Sequence, residues 1–239
     1  MNHEIQIKNL DYVPRGHAKI LNNLNADFVQ GSFVALLGEN GAGKTTLLDM
    51  IMGFKVPSSG ELRVRGELPV NDQWQLRQSI VYLSEKMDIP GDWTVRQYLK
   101  FNRYFYHHYS DELEQTLMKE FHVNENSRLG SMSAGEVRRV QIVGALATEP
   151  TLIIVDEITA VLDIVGRRRF MARLYEQNKK RGCTVILATN ILEELERYIS
   201  DVIIMKAGQI SVFAKIENFL KTQDNASFAQ LVADHLEAK

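Results

Sequence analysis

Residues 33–46 read Phe33-Val34-Ala35-Leu36-Leu37-Gly38-Glu39-Asn40-Gly41-Ala42-Gly43-Lys44-Thr45-Thr46. Five apolar residues without polar alternation run into a glycine-rich turn. Leu47, Leu48, Ile51 and Met52 then share one face of a segment that stops near Gly53. A strand buried on both faces followed by an amphipathic helix has this pattern. The turn fits G-x-x-x-x-G-K-[ST], so Gly38, Asn40, Gly41, Gly43, Thr45 and Thr46 lie where loop amides and a helix N-terminus converge on phosphate oxygens. Lys44 can reach the β- and γ-phosphates of a nucleotide, and the Thr45 hydroxyl can ligate Mg²⁺. The bland alternative is a strand-to-helix turn with a solvated lysine. The position of the motif between strand and helix argues against it.

Four more apolar runs, Ile80 to Leu83, Leu152 to Val155, Val185 to Ala188 and Val202 to Met205, have the same character, and helical patterns separate most of them. This predicts an α/β fold around a parallel sheet. Glu4 to Lys8, Ala26 to Val29 and Glu61 to Arg65 alternate and read as flanking antiparallel strands. From Thr94 to Ala147 the alternation breaks into three successive helices, a helical subdomain inserted into the sheet. Its first and third helices open at Thr94-Val95-Arg96-Gln97 and Ser133-Ala134-Gly135-Glu136, both capping-box patterns. One domain is expected over 1–239, with a nucleotide-binding core at 1–85 and 151–214, the helical subdomain at 86–150 and a helical extension at 215–239.

The run at Leu152 ends in Asp156-Glu157. Strand carboxyl ends line the ligand crevice of a parallel sheet, so both acids should face the loop. Asp156 would hold Mg²⁺ and Glu157 would polarise the water attacking the γ-phosphate. By itself, an apolar run closing on two acids is also how a strand surfaces.

The 239 residues carry 28 Lys and Arg against 30 Asp and Glu, a formal charge of −2. A near-neutral chain has no global pull on nucleic acid, so any polyanion must be held locally. Cys183 is the only cysteine, which excludes an internal disulfide and a multi-cysteine metal site. Met1 to Leu10 lacks the pattern of a signal peptide, and no run of about 18 apolar residues occurs. Gly166-Arg167-Arg168-Arg169 is read as a solvated face, and His107-His108 are not spaced as ligands.

The phosphate loop, Ser133-Ala134-Gly135-Glu136 and Asp156-Glu157, in this order, resemble the ATP-binding cassette (ABC) family over nearly the whole chain. The resemblance implies a P-loop NTPase core, ATP and Mg²⁺ as ligands, and a head-to-tail dimer. In that dimer the helix end at Ser133 and Gly135 would contact the γ-phosphate bound on the opposite protomer. The family's Leu-Ser-Gly-Gly-Gln reads Met132-Ser133-Ala134-Gly135-Glu136 here, and a plain capping box also explains these residues. Ala160-Val161-Leu162-Asp163 matches the segment that meets the partner protomer. Tyr12 lies near the aromatic that stacks on adenine, with a surface tyrosine on a strand end as the alternative. Glu85 stands where the family has a glutamine that senses Mg²⁺ and the membrane subunit, and a carboxylate is also a hard-metal ligand. Asn190 takes the place of the family's histidine and offers the γ-phosphate only a neutral hydrogen bond.

Two functions follow from the resemblance. One is an ATPase subunit on the inner face of the cell membrane, a homodimer or a heterodimer with a second ATPase chain, driving a separate transmembrane permease. Asp92-Trp93-Thr94-Val95 and the aromatic helix behind it look like the ATPase subunits of bacterial exporters. The other is a low-turnover nucleotide switch, motivated by Glu85, Glu136 and Asn190. Between Phe101 and Tyr109 lie five aromatics. Val95, Tyr98, Leu99 and Phe105 make a core stripe, leaving Phe101, Tyr104 and Tyr109 as surplus for a partner or for a broadly buried helix.

Overall fold

The computed structural model describes residues 2–69, 74–85, 89–222 and 226–237. The ends of the expected 1–239 domain, and residues 86–88 at the start of its helical part, therefore lie outside them. In chain order the elements are β1 (His3–Tyr12), β2 (Leu21–Val29), β3 (Phe33–Gly38), α1 (Lys44–Ile51), β4 (Ser59–Val64), α2 (Trp74–Arg77) and β5 (Ile80–Ser84). Next come α3 (Val95–Phe105), α4 (Asp111–Glu120), α5 (Ala134–Ala147), β6 (Leu152–Asp156), α6 (Ile164–Arg181) and β7 (Thr184–Ala188). The chain continues through β8 (Asp201–Lys206), β9 (Gln209–Lys215), α7 (Ile216–Leu220) and α8 (Phe228–Glu237).

Among the described residues the strands form two sheets, β2-β1-β4 and β5-β6-β7-β3-β8-β9. The first is antiparallel. In the second, β5 through β8 run parallel and β9 folds back against β8. All five short apolar runs became the parallel strands, and every residue of β3, β6 and β7 is buried. Helices connecting parallel strands cover both faces, so polar alternation has no place on them.

The period of two along β3 divides the core. Phe33, Ala35 and Leu37 join Val140, Ile142, Phe170 and Leu174 of α5 and α6 on one face. Val34 and Leu36 join Leu47 and Leu48 of α1 and Ile5 and Leu62 of the antiparallel sheet on the other. The result is a helical layer, the parallel sheet, then α1 and the small sheet. Truncating a fully buried anchor such as Phe170 to alanine costs about 3–5 kcal/mol.

Both capping boxes formed. Thr94 Oγ1 accepts from the Gln97 amide at 3.2 Å, and the Ser133 amide donates to Glu136 Oε2 at 2.8 Å. Helix α6 opens on Asp163, whose Oδ1 accepts from the Gly166 amide at 2.6 Å, and stops at Gly182 with φ of 66°. The core stripe of α3 differs from expectation at one position. Asn102 is buried and Phe105 only half-buried, because Gly144 on α5 admits Asn102 so closely that a Cβ there would lie 2.5 Å from its Nδ2. Tyr109 is not surplus surface either: it is half-buried, with its hydroxyl on Glu114 Oε2 and the Arg103 guanidinium 5.4 Å from its ring centroid.

Candidate nucleotide site

The carboxyl ends of β3, β5, β6 and β7 converge, with Ser84, Asp156 and Ala188 in one register across three neighbouring strands. The loop leaves β3 at Gly38, where a Cβ would sit 2.4 Å from the Met205 carbonyl oxygen. It enters α1 at Gly43, where φ is 101° and a Cβ would strike Leu21 at 2.6 Å. Glycine is demanded at the first position by the main-chain oxygen it approaches and by its φ of 151°, and at the second chiefly by its left-handed conformation.

Lys44 is 5% exposed. Its Nζ donates to the carbonyl oxygens of Gly38 at 2.7 Å and Glu39 at 3.2 Å and stands 3.6 Å from Glu157 Oε1. The ammonium is thus held inside the loop between main-chain oxygens and the acid after β6. Glu157 itself adopts φ of 57°, and its amide donates to the Ala188 carbonyl at 3.0 Å. A non-glycine residue in the left-handed region costs on the order of 1–3 kcal/mol, and such strain clusters at functional sites.

Asp156 is buried. Oδ2 accepts from the Tyr82 hydroxyl at 3.2 Å, and Oδ1 is buried with no hydrogen-bond partner among the described residues. Burial pushes this carboxyl above its ordinary range, opposed by the hydroxyls of Thr45 and Tyr82. An orphan carboxylate oxygen beside a threonine hydroxyl is an oxygen donor set that suits a hard divalent cation such as Mg²⁺. Burial likewise raises the Tyr82 phenol, so it stays a neutral donor.

A cleft of about 590 Å³ opens over the loop, lined by Lys44, Thr45, Thr46 and Glu157 and by Ala18, Lys19 and Ile20. Asn40, Gly41 and Gly43 also line it. Asn190 reaches the site from the end of β7, donating its side-chain amide to Asn40 Oδ1 at 3.4 Å. Glu85 is joined to the site through its main chain, its amide donating to the Asp156 carbonyl at 3.3 Å, while its side chain is exposed.

The Tyr12 side chain is not among the groups that line the cleft, although its main chain adjoins Ile20, which does. It packs half-buried against the core under the antiparallel sheet, and its carbonyl accepts from the Ile20 amide at 2.8 Å. The β1–β2 turn folds residues 18–20 over the loop instead. Ser133 and Gly135 also lie off this cleft. At Gly135 a Cβ would come 3.1 Å from the Val161 carbonyl oxygen, and Arg139 of the same helix pairs with Asp163 at 2.7 Å. The start of α5 and the segment before α6 are therefore one packed unit. Of the three arginines after Gly166, Arg168 is exposed with Glu194 3.7 Å away, as on a solvated face, while Arg167 and Arg169 are half-buried, Arg167 lying 3.8 Å from Glu193 and Arg169 donating to the Glu120 carbonyl.

Sequence reasoning missed Tyr82, the Ala18–Ile20 wall and Arg138. Tyr82 left one faint trace, a polar tip within the apolar run Ile80 to Leu83. The others depend on contacts distant in sequence.

The Nod factor export ATP-binding protein I of Rhizobium leguminosarum bv. viciae is 34% identical over 196 residues, covering 80% of this chain and 62% of that protein. The chain thus spans less than two thirds of that relative's length. An energy-coupling factor transporter ATP-binding protein of Clostridium perfringens is 28% identical over 233 residues, covering 91% of this chain and 81% of that protein. A solved ATP-binding subunit of an ABC transporter superposes with a TM-score of 0.87 at 26% identity, covering 97% of this chain and 98% of the other. The family model for ABC transporters matches residues 21–160, from the start of β2 through the loop at Lys44 to the turn after Asp156, and the chain belongs to that family, among its ATP-binding subunits.

Proposed function

We propose that this chain binds Mg-ATP in the cleft at Lys44, hydrolyses it, dimerises head to tail around two nucleotides and drives a separate membrane-spanning subunit, in the direction of export. The observation that carries the reading is the meeting of Lys44, Glu157 and Asp156, with a buried ammonium 3.6 Å from one acid and the orphan oxygen of the other beside Thr45.

The chemistry expected of each residue follows from its place. The loop amides and the α1 N-terminus hold phosphate charge, and Lys44 exchanges its loop carbonyls for a phosphate oxygen. Glu157 takes the proton of the attacking water as the new P–O bond forms and the bond to the ADP oxygen breaks. Asn190 donates its amide toward the γ-phosphate from the end of β7. Thr45 and Asp156, with Glu85 at the margin, would hold Mg²⁺, which would supply charge neutralisation across the phosphates. Ser133, Gly135 and Asp163 serve the nucleotide on the partner protomer, since they lie off their own cleft.

No described helix is long and apolar enough to cross a membrane. In this reading the permease is a separate chain and the subunit sits in the cytoplasm, peripheral on the inner face of the membrane, which the names of its ATP-binding relatives support. The reading takes a homodimer or a heterodimer with a second ATPase chain as the assembly, and it gives nucleic acid no part. Export rests on the likeness of the Asp92 to Val95 segment to exporter subunits and on the relative named for Nod factor export.

The low-turnover switch retains one specific support. Glu136, at the helix end meant for a partner's phosphate, accepts from both the amide and the hydroxyl of Ser133, at 2.8 and 2.7 Å. These bonds hold its carboxyl below the usual range, so a negative charge faces that position. Thermal unfolding with and without Mg-ATP tests the binding half of the proposal. At 100 times Kd the parent gains about 2.7 kcal/mol, and Lys44→Ala should lose most of that gain.

A further inference from the structure

Arg138 of α5 is 8% exposed. Its Nη1 donates to the Ser84 carbonyl at 2.8 Å and to Gln141 Oε1 at 2.5 Å, while Nη2 donates to the Glu85 carbonyl. A guanidinium taken out of water is costly unless its donors are well placed, and here one fork spans two consecutive peptide oxygens. Gln141, buried on the same helix, holds one edge of the fork. The held segment is the end of β5 and the residue after it. On its other side the Glu85 amide donates to the Asp156 carbonyl at 3.3 Å. The main chain at 84–85 is therefore gripped between α5 and the strand end that carries both acids.

We infer that Arg138 is a positioning residue that couples the N-terminal end of α5 to the Glu85 segment beside Asp156 and Glu157. It lies five positions along the helix from Ser133, about one and a half turns. A displacement of α5, when Ser133 and Gly135 engage a nucleotide held by a partner protomer, is carried through the fork to the acid end of this protomer's own cleft. The inference rests on the ATPase reading above and adds to it the link between the two nucleotide sites. Because the acceptors are main-chain carbonyls, Arg138 is the half of the contact that substitution can reach. Lysine keeps the charge but cannot span both oxygens in a fixed fork; methionine keeps the length and removes all donors.

The test uses the full chain with Arg138→Met and Arg138→Lys. Three quantities are read: affinity for a fluorescent ATP analogue, steady-state Mg-ATPase, and amide exchange of the peptide containing Ser84 and Glu85. The methionine variant should bind the analogue within about 2-fold of the parent while kcat falls roughly 2- to 30-fold, the range for residues along a coupling network. Exchange at 84–85 should quicken with protection elsewhere kept, and lysine should restore part of both. Parental kcat together with parental exchange would overturn the inference. So would analogue affinity, kcat and protection across the whole chain falling together, which marks a purely structural arginine. If the parent itself hydrolyses no ATP, the ATPase reading fails on that result alone, and local exchange at 84–85, which needs no turnover, still decides for or against the clamp.

Discussion

Asn190 and Asn40 meet across the rim of the phosphate loop, side-chain amide to side-chain oxygen, at 3.4 Å. The end of β7 is thereby brought to the loop through neutral groups, where the family resemblance expects histidine.

Asn190→His should raise steady-state turnover by roughly 10-fold while ATP affinity stays near the parent's. A well-placed donor to developing charge is worth about 100- to 1,000-fold, and asparagine keeps part of it. ATPase assays of both proteins with the membrane partner present check this. A fast parent rate, unchanged by histidine, would remove the low-turnover reading.

Tyr12→Ala should change ATP affinity by less than about 2-fold, because Ala18, Lys19 and Ile20 line the cleft on the β1–β2 turn and the Tyr12 side chain does not. Loss of a true base-stacking aromatic costs about 1–3 kcal/mol, which is roughly 5- to 150-fold. Titration with a fluorescent ATP analogue separates the two outcomes.

Glu157→Gln with Mg-ATP should accumulate as a dimer of twice the monomer mass by light scattering. The substitution removes the proton acceptor and leaves the loop, Lys44 and Asp156 in place. The parent without nucleotide should stay monomeric. A variant that remains monomeric with saturating Mg-ATP, alone and mixed with any co-purifying ATPase chain, would exclude the head-to-tail arrangement.

Phe101→Ser with Tyr104→Ser should release the protein from membranes and leave ATP binding intact. Tyr104 is 90% exposed and Phe101 50% exposed. Phe101 continues an aromatic row through Trp93 at 5.6 Å and Phe105 at 6.0 Å. Membrane flotation and melting temperature measured together distinguish loss of docking from loss of folding.

The sequence disclosed most where burial is continuous. β3, β5, β6, β7 and β8 all coincide with apolar runs, because strands covered on both faces cannot alternate. β9 escaped notice since it is an edge strand, half-buried in alternation and closed by Gln209 and Lys215. The phosphate loop was legible because its residues are contiguous, and the acids because they end a strand whose direction the fold class dictates. Arg138 was not, as its partners at 84 and 85 are more than fifty positions away. The exchange of Phe105 for Asn102 in the core of α3 follows from Gly144 on a different helix, which no pattern within α3 encodes.

Hydrolysis at the Lys44–Glu157 pair is read most directly from Mg-dependent release of phosphate from bound ATP, followed in a single turnover for the parent and Glu157→Gln. The parent should release phosphate in dependence on added Mg²⁺, and the glutamine variant at least about 100-fold more slowly at comparable ATP affinity. Equal release by both proteins, or none by the parent with its nucleotide demonstrably bound, would contradict it.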